Sequence, residues 1–128
     1  MADYLGIVIK QSLSDLGLIE DLNVIATKTI GSWEFLLVAV AEEHFHNTVA
    51  RLQNHMIPID TDCWYNHFFR GDQLFVVFQN KTFQTTTNPE TWSDVIRYGL
   101  EHGIPLEQLD FRPRTTEDAC AFFGIDRQ

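Results

Sequence analysis

The chain has 128 residues, of which 45% are hydrophobic and 21% charged, with ten Phe and three Trp. At that length about two thirds of the unfolded surface can be buried, so one self-sufficient core is expected over residues 1–128, and disorder is excluded. Nine Lys and Arg against eighteen Asp and Glu leave a formal charge of −9, which argues against nucleic acid or an anionic membrane as partner, because both are bound chiefly through clustered cations.

The first run, YLGIVIK (4–10), is apolar and β-branched, the pattern of a strand covered on both faces. SLSDLGLIEDL (12–22) changes period, with Leu13, Leu16, Ile19 and Leu22 three apart, and predicts a short helix weakened by Gly17. NVIATKTI and WEFLLVAVA flank Gly31-Ser32 and predict a hairpin. EEHFHNTVARLQNHM (42–56) carries Phe45, Val49, Leu52 and Met56 on one stripe, begins with two acids in its first turn and is closed by Pro58. It predicts a helix.

DTDCWYNHFFRGDQ (60–73), QLFVVFQ and TFQTT then predict three antiparallel strands joined by turns at Gly71-Asp72 and Asn80-Lys81. Asn88-Pro89 is a helix start, and PETWSDVIRYGLEH follows with Trp92, Val95, Ile96 and Gly99 on one side. Gly103 and Pro105 stop it. PLEQL and TTEDACAFF read as short terminal helices, the second opened by a capping box from Thr115 to Asp118.

This order predicts an α+β domain, specifically a ferredoxin-like βαββαβ sandwich with an added antiparallel hairpin and C-terminal helices. Helices on one face would leave the other side of QLFVVFQ uncovered, so a homodimer with its sheets apposed is expected. The start of the chain lacks a basic segment before an apolar one, and no run approaches eighteen apolar residues. A cytoplasmic protein with no membrane contact is expected, and Cys63 and Cys120 are expected as thiols.

GIVIK, WYNHFF, VVFQNKTF and YGLEHGIPLEQLDF together resemble small bacterial proteins with no assigned activity. The resemblance spans most of the chain and implies no activity, cofactor or site residue.

The candidate chemistry is thin. His44, His46 and His55 share the second helix, but none of their pairs has the i, i+3 or i+4 spacing of helical metal ligands, and His44 and His55 stand about 16 Å apart along the axis. Asp60 and Asp62 open a calcium-loop pattern that fails at once, with Trp64 and Tyr65 where a ligand and a glycine belong. Phosphate-loop, dinucleotide and hydrolase-elbow signatures are absent from the sequence.

If CWYNHFFR is a strand, Cys63, Tyr65, His67 and Phe69 share one face, and Trp64, Asn66, Phe68 and Arg70 the other. Cys63 and His67 are then about 13 Å apart, too far for a thiolate and its base. Tyr65 lies about 7 Å from each and could share a pocket with His67. Arg112 and Arg114 in FRPR could hold one carboxylate or phosphate.

Two readings follow. The first is a non-catalytic interaction or small-ligand-binding module, acting as a homodimer. The second is a small cofactor-independent enzyme with Tyr65 and His67 in a cleft and Arg70 or Arg97 as anion anchor. Neither needs a cofactor or metal. If Tyr65 and His67 open into a concave site beside a convergent arginine the enzyme gains, and if they are packed it loses.

Overall fold

The computed structural model describes residues 3–14, 16–59, 63–111 and 115–125. Asp60, Asp62, Arg112 and Arg114 lie outside these, and with them the acidic pair and the two-arginine loop considered above. The fold is α+β. Six strands form one antiparallel sheet: β1 (Tyr4–Ile9), β2 (Asn23–Ile30), β3 (Trp33–Val40), β4 (Tyr65–Arg70), β5 (Gln73–Phe78) and β6 (Lys81–Thr86), in the order β2-β3-β1-β4-β5-β6. The helices are α1 (Phe45–His55), α2 (Ser93–Glu101) and α3 (Thr116–Phe123).

Local chemistry accounts for the element ends. Gly31 and Gly71 take positive φ in the β2–β3 and β4–β5 turns, where a side chain would be strained. Asn88 accepts a hydrogen bond from the Glu90 N–H at 3.1 Å and caps the 3-10 turn Pro89–Thr91, after which α2 starts only at Ser93, while Thr115 accepts one from the Asp118 N–H at 3.0 Å and caps α3. The helix expected over 12–22 does not form. Leu13 bridges to Met56, and Leu16–Asp21 winds as 3-10 turns, because the three-residue apolar period and Gly17 suit a tighter winding better than an α-helix.

The sheet is covered on both faces, contrary to the one-sided arrangement expected from the sequence. One core gathers Tyr4, Val8, Val38, Phe68, Phe75 and Val77 under α1 and Leu18 of the 3-10 turns. The other gathers Ile7, Leu37, Phe69, Val76 and Phe78 under Trp92, Val95, Leu109, Phe111, Ala119 and Phe123. The last third of the chain therefore fills the face reserved for a second copy, which removes the reason for apposing two sheets. The residues of β5 from Leu74 to Phe78 are all buried, as a strand covered twice must be.

Among the described residues Ser12, Asn66 and His67 are the buried polar side chains, and one set has a clear purpose. Asn66, fully buried, accepts the Ile9 N–H at 2.7 Å and donates to Ser12 Oγ at 3.0 Å, while Ser12 donates to the Ile9 carbonyl at 2.7 Å. The β1–β4 pairing runs from Leu5↔Phe69 to Ile7↔His67. A side-chain amide thus satisfies the backbone where that pairing ends and the chain turns away. Among the described residues no helix is long and apolar enough to cross a membrane.

Candidate functional site

Strand direction decides where the site lies. β3 and β4 both run antiparallel to β1, so their first residues meet at the last residue of β1. Ile9 pairs with Phe35, and the β1–β4 register carried two residues further brings Tyr65 to its other side. Residues opposite one another in an antiparallel sheet share a face. Phe35, Ile9 and Tyr65 therefore make a row at one end of the sheet, on the α2 side.

Around that row is a cavity of about 180 Å³ bordered by Ile9, Trp33, Phe35, Cys63, Trp64, Tyr65, Ile104, Gln108 and Asp110. A second hollow of about 210 Å³ shares Trp33, Cys63, Trp64, Ile104 and Gln108 and extends it past Gly103 and Pro105. The Trp33 and Trp64 rings meet edge to face at 5.5 Å, and Trp33 lies 6.3 Å from Phe35. Four partly exposed aromatic side chains thus converge on one groove.

Its outer wall is the segment after α2. That wall is anchored by Phe111, fully buried, whose ring packs at 4.9 Å from Trp92 and 5.2 Å from Tyr65. Phe111 adopts φ 47°, a left-handed conformation that bulky residues avoid. Burial of its ring offsets the cost and fixes the Gln108–Asp110 backbone beside the groove.

Tyr65 donates its hydroxyl to the Gln108 carbonyl across the groove. Burial raises its pKa above the ordinary value of 10, and the negative charge of Asp110 pushes the same way. A phenol held neutral in this manner donates a hydrogen bond but is no base. His67, 4% exposed, lies two residues deeper between Tyr65 and Phe69, with ring separations of 6.3 and 6.4 Å, and does not border the groove.

The fold therefore brings Tyr65 and His67 together and leaves the arginines elsewhere. Arg70 stacks over the Tyr4 ring at 4.2 Å and pairs with Glu42, on the α1 side of the sheet. Arg97 pairs with Asp94 at 2.8 Å on the exposed side of α2. Neither Arg70 nor Arg97 borders the groove. Among the described residues no group of three His, Cys, Asp or Glu is placed to hold a metal ion.

Two larger hollows differ in character. One of about 250 Å³ is bordered by Asp3, Arg70, Thr115 and Glu117, and one of about 360 Å³ by Asp3, Asp21, His44 and Arg51. The arginine of each is already paired, Arg70 with Glu42 and Arg51 with Asp21 at 2.6 Å. Among these only the aromatic groove combines an apolar lining with a few convergent polar groups, the usual make-up of a ligand site.

Sequence reasoning reached Cys63, Trp64 and Tyr65 but missed Trp33, Phe35, Ile104, Gln108 and Asp110. A faint signal existed: Trp33 and Phe35 follow directly on a predicted turn, at alternate positions on either side of Glu34 and ahead of an aliphatic run. Comparison of the chain with known protein families, with curated proteins and with solved structures gives no significant match.

Proposed function

We propose that this protein is a non-catalytic binding module whose aromatic groove takes a small ligand. The observation that carries this reading is the convergence of Trp33, Phe35, Trp64 and Tyr65, all incompletely buried, on one concave site. Large aromatic surface left outside a well-filled core is a cost unless a ligand or partner covers it. The enzyme reading is weaker, because His67 is packed beneath the site, Tyr65 is held as a neutral donor, and Arg70 and Arg97 are turned to other partners. No cofactor enters the reading.

The scaffold supports it in one further way. We read β1 to β4, with the 3-10 turns and α1 on one face, as a ferredoxin-like βαββαβ unit whose first helix has shortened. β5 and β6 add the hairpin, and α2 and α3 close the second face. The reading does not depend on a homodimer, since the groove is complete within one chain.

A thermal-shift screen against a metabolite library tests it, run in parallel on wild type and Trp33→Ala. A ligand present at 100 times its Kd stabilises the native state by about 2.7 kcal/mol. The expected result is at least one compound that raises the Tm of wild type and not of the variant. Shifts equal in both proteins, or none at all, overturn the reading.

A further inference from the structure

The sheet has two outer strands, β2 and β6, and they are guarded unequally. At β6, Trp92 Nε1 donates to the Thr86 carbonyl at 2.7 Å and Gln53 Nε2 to the Thr82 hydroxyl at 3.1 Å, so neighbouring segments close on both ends of the strand. β2 is longer, lacks proline and is exposed throughout Thr27–Ile30. Its one charge, Lys28, is the residue type that usually blunts such an edge. Here it is withdrawn, because Nζ donates to the Phe122 carbonyl at 2.8 Å and lies 4.5 Å over the Phe122 ring.

The hairpin fixes which backbone groups of β2 are unused. A two-residue turn is closed by a hydrogen-bonded pair, here Ile30 and Trp33. In the next pair, Thr29 and Glu34, the N–H and C=O groups therefore point away from each other. Glu34 bears this out, since its N–H donates to Gln11 Oε1 at 3.0 Å, on the β1 side. Thr29, and by the period of two Thr27, thus present both groups to the open side. The register shift between Val24 and Ala26 interrupts the ladder and limits the regular edge to Ala26–Ile30.

We infer that β2 pairs with β2 of a second copy, antiparallel across a twofold axis at Lys28. That register sets Thr27 opposite the partner's Thr29, so every outward backbone group of the regular edge meets another, and threonine faces threonine. On the α2 side it lays Ile30, 49% exposed, against the partner's Ala26, a large residue beside a small one. The two Lys28 stems run side by side while each ammonium stays at its own Phe122 carbonyl. Twofold registers centred elsewhere on the strand bring the bulge or the Gly31-Ser32 turn into the seam. Charge also favours a second copy at this place, because Asn23–Ile30 contains no carboxylate through which two chains of −9 would repel. The result is one continuous sheet, with both faces covered as before and the groove of each copy untouched. The seam is short, so a reversible dimer of micromolar affinity is expected.

Light scattering over a dilution series provides the test, with Thr29→Pro as the interface variant and Gln84→Pro as its counterpart on β6. Phe78 and Lys81 close the β5–β6 hairpin, so the N–H of Gln84 also points out of the sheet, and an edge strand tolerates proline at such a position. Wild type should approach twice 14.8 kDa at high concentration, and Gln84→Pro should match it. Thr29→Pro should weaken association by on the order of tenfold or more, with a melting curve like that of wild type at dilutions where both are single chains. Lys28→Cys supplies a reading that does not need the proline variant to fold. Mild oxidation should give a covalent dimer linked through position 28 of both copies, because opposed residues of a non-hydrogen-bonded pair lie within disulfide reach. Peptide mapping separates that link from any through Cys63 or Cys120.

A single-chain mass at high micromolar concentration overturns the inference, and so does a dimer undisturbed by Thr29→Pro. Loss of the dimer in Gln84→Pro alone moves the interface to β6 and overturns it equally. If Thr29→Pro fails to fold, the cross-link decides, and its absence sinks the pairing.

Discussion

The two faces of the sheet are built to different standards of closure. On the α1 face the fit is close: a Cβ added at Gly6 would lie 2.3 Å from ring carbons of Phe68, and Asn66 and Ser12 satisfy each other and the end of β1. On the α2 and α3 face the same strands carry a comparable set of buried residues, but the covering segments come from the far end of the chain and leave the Trp33 and Phe35 end open, with Trp64, itself packed against the α1-side core, at its border. A sheet covered early by a neighbouring helix becomes a rigid platform. The face covered last is where a cleft can be left without unpairing any backbone.

The largest effect should come from the tight face. Phe68 is 1% exposed and touches Phe45 edge to face at 5.6 Å, so Phe68→Ala should cost about 3–5 kcal/mol in denaturant unfolding. The sequence put Trp64→Ala on the same footing. The structure separates them, since Trp64 is only half-buried and borders the groove, and its truncation should cost clearly less. Equal losses for the two would mean that the groove end is packed as tightly as the α1 face.

A second substitution sharpens the same contrast. Gly6→Ala adds one methyl against a ring that has nowhere to go, and should destabilise by about 1–3 kcal/mol although alanine suits a strand better than glycine. Because the clash is with Phe68 itself, the penalty should largely vanish in a Phe68→Ala background, a non-additivity that a double-mutant cycle measures directly. Additive losses would assign the cost to the strand backbone and not to this contact.

The smallest effect belongs to the open face. Tyr65→Phe removes one hydrogen bond to the Gln108 carbonyl and should cost about 1 kcal/mol at neutral pH. The pH dependence has a definite sign. Tyr65 has a raised pKa in the folded state, so the native protein holds its proton where the unfolded chain releases it. That contribution is complete below pH 10 and is lost as pH rises above it. Urea titrations from pH 8 to 11 should show wild type losing stability faster than Tyr65→Phe, narrowing the gap between them. A gap that widens would mean that the phenolate is accommodated and that burial does not govern this group.

His67 illustrates how much of the site was legible in advance. Alternation along β4 placed Tyr65, His67 and Phe69 on one side and Asn66, Phe68 and Arg70 on the other, as found. It could not say that His67 would be sealed beneath Phe69 and Tyr65 while Tyr65 reached a groove, because depth along a strand depends on which distant segment lies over it. Nor could it bring Trp33 next to Trp64, thirty-one positions away in the chain.

What the sequence determined by itself was local. The strand and helix periods, the Asn88 and Thr115 caps and the glycine turns at Gly31 and Gly71 each follow from a few adjacent residues and their own dihedral and hydrogen-bonding preferences. The tertiary structure alone decided three things. Leu13 is drawn into a bridge with Met56, a partner that no local pattern of residues designates. The second face is closed by α2 and α3 and not by another copy, because their apolar sides and that of the sheet are joined in one chain and meet at no cost in association entropy. The aromatic groove exists because β3 and β4 both start where β1 ends, and strand order, set by the summed burial of whole faces, is written in no single stretch of residues.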